Sequence, residues 1–76
     1  MSGDDRKLVD RARAMLLSGR GYLDDARADA GRGNSLTGAV LAMVYRCPRQ
    51  VAEAAVQAAL AELDREKGEG QPPAAA

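Results

Sequence analysis

The sequence predicts an all-α fold, a small bundle of about four helices in a single domain. Apolar residues recur every three or four positions in four segments, Gly and Pro separate these segments, and 76 residues are enough for only one domain. The predicted helices span residues 4–18, 22–30, 35–46 and 48–67, within a domain of residues 1–67. Residues 68–76 contain helix breakers and no apolar periodicity, which predicts a disordered tail rich in Gly, Pro and Ala.

The first two predicted helices are amphipathic. On the first, one face carries Leu8, Val9, Ala12, Met15 and Leu16. Asp4 and Asp5 lie in its first turn, where carboxylates complement the positive end of the helix dipole, and Gly19 follows its end. The second helix is shorter, and its apolar positions are Tyr22, Leu23, Ala26 and Ala30.

The third and fourth predicted helices meet at Pro48, which disfavours helical geometry at Cys47 and suits the first turn of a new helix. Asn34 or Ser35 is expected to cap the start of the third helix. Large apolar side chains cover most of its circumference, which predicts a central, buried helix. The fourth helix has one apolar half and one polar half.

Composition argues against catalysis. The chain has no histidine, so Cys–His and Ser–His nucleophile pairs and the usual zinc sites are excluded. The acidic pairs Asp4/Asp5 and Asp24/Asp25 are explained as helix-start signals. Cys47 is either a small buried residue at a corner or a thiol activated by the following helix. We therefore expect no enzyme, no catalytic residue, no cofactor and no metal.

Charge and segment lengths bear on location. Eleven basic and eleven acidic residues give a net charge of zero, so no overall field attracts nucleic acid or a membrane. The polar start lacks the pattern of a signal peptide, and the lone cysteine fits a reducing compartment. The longest uncharged stretch, residues 33–45, is too short to cross a bilayer. These features predict a cytoplasmic protein without a membrane partner, and the frequent Ala, Gly, Arg and Asp are typical of a GC-rich bacterial genome.

A core without Phe or Trp is small, and domains of this size often gain stability by oligomerisation. We therefore expect a helical protein-interaction or regulatory module that binds protein, in the first place itself. The fourth helix is the candidate interface because its Ala residues permit close approach. The predicted contact residues are Val51, Ala52, Ala55, Val56, Ala59, Leu60 and Leu63.

The segment CPRQVAEAAVQAALAELDREKG, residues 47–68, resembles the recognition helices of winged-helix regulators, which often run into a Leu-x-x-Leu stripe and end in Lys-Gly or Glu-Gly. The resemblance implies a DNA-binding regulator of helix-turn-helix type, the alternative function. Arg49, Gln50 and Gln57 would then contact bases or phosphates. Residues 8–21 are also similar to the opening of ANTAR-type RNA-binding domains, but the spacing departs after residue 26, and no functional residue carries over.

Overall fold

The computed structural model describes residues 3–69, and this part of the chain consists of four helices without a strand, which confirms the predicted fold class. The helices are α1 (Gly3–Ser18), α2 (Arg20–Gly31), α3 (Leu36–Tyr45) and α4 (Arg49–Glu69). Their ends lie within two residues of the predicted ends. Residues 68 and 69 of the predicted tail belong to α4, and residues 70–76 lie outside the described residues.

Local chemistry explains where α3 begins and ends. Of the two predicted caps, Ser35 performs the role: its Oγ accepts a hydrogen bond from the Gly38 backbone N–H at 2.9 Å. At the other end, Arg46 adopts left-handed backbone geometry, with φ 51° and ψ 42°, and closes the helix. The carbonyl of Pro48 then accepts the N–H of Val51 at 3.0 Å and starts α4.

The central helix is α4, and the prediction that α3 is central and buried is wrong. Helix α4 contacts all three other helices and has its most extensive contacts with α1 and α3. Helix α3 contacts α4 along one face and α2 to a smaller extent, so its opposite face has no covering helix among the described residues. A helix is buried all round only when neighbours surround it, and the four helices of residues 3–69 supply too few neighbours for two central ones.

The core lies between α4 and the two helices that flank it. Leu16 of α1, Leu41 of α3 and Val56 of α4 are its largest fully buried side chains. The surface of α4 that faces them consists mainly of Ala, which brings the neighbouring helices close to the α4 backbone. The core is therefore built from close helix contacts and small side chains.

Ion pairs join the polar side of α4 to α1 and α2. Arg13 of α1 pairs with Glu66 and lies 3.8 Å from Glu62. Arg27 of α2 forms a bidentate hydrogen bond with the Asp64 carboxylate. That hydrogen bond lowers the pKa of the Asp64 carboxyl and raises the pKa of Arg27. Several charged side chains of α4 therefore form ion pairs with other helices of the same chain.

Candidate interaction surface

The predicted contact residues on α4 lie mostly inside the chain. Ala52, Ala55, Val56, Ala59 and Leu60 are buried against the chain's own helices, and Leu63 is partly buried at the edge of the same cluster. Val51 alone is exposed. The apolar half of α4 is thus largely covered by contacts within the chain, and the large apolar side chains that remain exposed lie mainly on other helices.

The outer face of α3 carries four exposed large apolar side chains. Leu36, Val40, Met43 and Val44 are all exposed, with 65%, 40%, 79% and 61% of their surface accessible. Their spacing of four, three and one residues places them within about 100° of the helix circumference. We call this set the α3 stripe. The helix contains no charged residue, so the stripe is a continuous apolar surface.

The opposite face of α3 explains why the stripe points outward. Thr37, Gly38 and Leu41 are buried toward α4. A Cβ on Gly38 would lie 3.0 Å from the Cα of Glu53 and 2.8 Å from its Cγ, closer than ordinary van der Waals contact. The absence of a side chain at Gly38 therefore lets α3 lie directly against the α4 backbone. This close contact fixes the rotation of α3 and leaves the stripe on the surface.

Asp29 holds the start of α3 in place. Its side chain is almost fully buried, and Oδ2 accepts a hydrogen bond from the Leu36 backbone N–H at 3.3 Å. Oδ1 accepts from Arg32 at 2.7 Å, and the Asp29 carbonyl accepts from the Asn34 N–H at 2.9 Å. One residue of α2 thus forms hydrogen bonds along the connection that leads into α3. These bonds fix the position of Leu36, the first residue of the stripe.

A second concave region lies between the N-terminal halves of α1 and α4. One groove, of about 290 Å³, is lined by Asp5, Leu8, Val9, Gln50, Val51, Ala54, Ala55 and Ala58. An adjoining groove, of about 470 Å³, shares three of these residues and adds the charged side chains of Asp4, Lys7 and Arg11. Acidic and basic groups therefore border this region, whereas the α3 stripe has none.

The residues predicted to contact nucleic acid are exposed on α4. Arg49, Gln50 and Gln57 lie in its first half, and Gln50 also lines the groove beside α1. Arg49 Nε donates to Glu53 Oε1 at 2.8 Å, so an acidic neighbour partly compensates its charge. DNA binding by these residues stays a prediction. The ion pair with Glu53 offsets the positive charge that Arg49 could offer to a phosphate.

Cys47, for which the sequence allows a structural or a reactive role, is partly buried and packs against the core cluster. Within residues 3–69, no group of three His, Cys, Asp or Glu side chains is placed to hold a metal ion together. None of the helices in that range is both long and apolar enough to span a bilayer.

The chain was compared with models of known families, with characterised proteins and with solved structures, and none of them matches it.

Proposed function

We propose that the chain is a non-catalytic helical protein-interaction module of the cytosol that self-associates through the α3 stripe. The observation that carries the proposal is the stripe itself: four large apolar side chains stand exposed on a helix without a single charge. Contiguous exposed apolar surface is characteristic of protein contact sites. We therefore propose α3, instead of α4, as the interaction surface that the sequence leads us to expect.

The charge distribution favours a second copy as the partner. In a symmetric pair each surface meets itself, so a charged residue at the centre would face a like charge. The α3 stripe contains no charge and avoids this cost. The net charge of zero also removes long-range repulsion between two copies.

The exposed area indicates a weak and reversible association. The accessible fractions of the four stripe residues correspond to roughly 400 Å² of apolar surface per copy, or roughly 800 Å² for a pair. This is below the area of standard specific interfaces and falls in the range of weak, transient complexes. Association is therefore expected to depend visibly on protein concentration.

Self-association would also stabilise the fold. The core has no Phe or Trp, and its largest fully buried side chains are two Leu and one Val. Covering the stripe removes further apolar surface from water at roughly 25 cal/mol per Å² before the cost of association. Because a folded oligomer is stabilised by mass action, its melting temperature rises with concentration.

Thermal melts over a roughly hundredfold range of protein concentration test the proposal. We expect the melting temperature of the parent chain to rise across this range, and the melting temperature of Met43→Lys to stay constant. Met43 is the most exposed of the stripe residues, so the lysine is tolerated in the monomer but is costly to bury. A parent melting temperature that does not change with concentration would contradict self-association.

A further inference from the structure

The α3 stripe has a centre, and Val40 occupies it. Leu36 lies four residues before Val40 and Val44 four residues after it, so the two flanking side chains are about 6 Å from Val40 along the helix axis. Val40 is also the least exposed of the stripe residues, at 40% against 61% or more for the others. Val40 is therefore the stripe residue most covered by its own chain, and its side chain is shorter than those of Leu36 and Met43, which allows two copies to approach closely at Val40.

Resting on the proposed self-association, we propose that two copies pair their α3 helices antiparallel, with the two-fold axis passing beside Val40. Val40 of one copy then faces Val40 of the other. Leu36 of each copy packs against Val44 of the second copy, because both residues lie the same distance from the axis. All four stripe residues are covered in this arrangement.

Charges at the ends of α3 favour the antiparallel direction over the parallel one. Arg46 is exposed directly after the C-terminal end of α3. A parallel pair would bring the two Arg46 side chains together, whereas an antiparallel pair about Val40 separates them by about 18 Å along the helix axis. Antiparallel packing also places the positive end of each α3 dipole beside the negative end of the other. At the N-terminal end, the charge of Arg32 is already neutralised by Asp29.

The symmetry sets the number of chains. A pair in which the same surface is used by both copies is closed, because each stripe is covered by the other and neither is left to bind a third chain. The assembly therefore stops at a dimer. An open, head-to-tail contact between the stripe and the α1–α4 groove would instead continue to larger species.

Site-directed cross-linking separates these arrangements. In a Cys47→Ala background, single cysteines are introduced as Leu36→Cys, Val40→Cys or Val44→Cys and oxidised with diamide. We expect the Val40→Cys variant to form a disulfide-linked dimer without being mixed with another variant. Leu36→Cys and Val44→Cys should each cross-link poorly alone, because their own copies lie about 12 Å apart along the axis, but should cross-link when mixed. Leu17→Cys, an exposed position on α1, is the matched control and should stay monomeric on the denaturing gel.

Other outcomes have distinct meanings. Efficient self-cross-linking at all three stripe positions, without gain on mixing, would establish a parallel pair and overturn the proposal. A dimer by mass in which no stripe cysteine cross-links would place the contact elsewhere. A parent chain that is monomeric at all concentrations would overturn the proposed function itself. Helical circular dichroism of each variant, compared with the parent, verifies that the exposed substitutions leave the fold intact.

Discussion

Helices α3 and α4 share one contact but differ in what they leave exposed. The outer side of α4 carries charged residues, three of which pair with Arg13 and Arg27 of neighbouring helices. The outer side of α3 carries the apolar stripe and no charge. In both helices the apolar residues cover more than one narrow face. In α4 most of these residues pack against other helices of the same chain. The difference shows that the apolar content of a helix does not determine which of its faces stays exposed.

The largest effect is expected from a charge placed on the buried face of α4. Val56→Asp in α4 puts a carboxylate at a fully buried position without a partner. This should cost at least about 3 kcal/mol and unfold much of the population, since domains of this kind have little stability in reserve. Chemical denaturation followed by circular dichroism measures the loss. Near-parental stability of this variant would mean that α4 does not form the core.

The close approach of the two helices predicts the next effect. Gly38→Ala places a methyl group against the Glu53 backbone and against Ser35 Oγ, at 3.0 Å and 2.8 Å. We expect a loss of about 1–2 kcal/mol, because the overpacking outweighs the better helix propensity of Ala. Gly21→Ala is the matched control in α2, where nothing lies within 4 Å of the added Cβ, and should be neutral or stabilising. Equal effects of the two substitutions on the urea midpoint would contradict the close contact.

A smaller loss is expected at the cap that positions α3. Ser35→Ala removes the hydrogen bond to the Gly38 N–H in a buried setting and should cost about 1 kcal/mol. Ser18→Ala serves as the comparison, because Ser18 is exposed and its hydroxyl only donates to the Met15 carbonyl within α1. Thermal unfolding of the two variants at one protein concentration measures the difference. If both melt with the parent, the cap contributes nothing to stability.

The smallest effect is a gain. Arg46 ends α3 with a positive φ, a conformation that is strained for residues with a Cβ and free of strain for Gly. Arg46→Gly should therefore stabilise the monomer by about 0.5–1 kcal/mol, somewhat less than the strain itself, because Gly also makes the unfolded chain more flexible. The melting temperature of a dilute sample reports the change. A lower melting temperature would show that the Arg46 side chain makes contacts that outweigh the strain.

The positions of the helices could be predicted from the sequence because their signals are local. Pro48, Ser35 and the glycines around position 32 punctuate the chain, and apolar spacing marks each helix between them. Which helix is central could not be predicted, since burial depends on how many neighbours a helix receives. The apolar residues around α3 predict burial from all sides, but only one face is covered in the structure.

The candidate site was missed for the same reason. Apolar periodicity selected the residues of α4, and it cannot distinguish a face that packs within the chain from one that packs against a second chain. Two sequence signals could have pointed to α3: the absence of any charge from Leu36 to Tyr45, and a glycine in mid-helix at Gly38. A mid-helix Gly often has a packing reason. Gly38 marks the face of α3 that packs against α4. The opposite face of α3 is therefore the exposed one.

The central claim, that the uncovered face of α3 binds a second copy, is tested most directly by the mass of the chain in solution. Sedimentation equilibrium would compare the parent with Val44→Lys and Leu17→Lys, which replace side chains of nearly equal exposure, 61% on the stripe and 60% on α1. We predict that the parent and Leu17→Lys reach the mass of two chains as concentration rises, while Val44→Lys stays at the mass of one. Equal masses for the two lysine variants at every concentration would contradict the account.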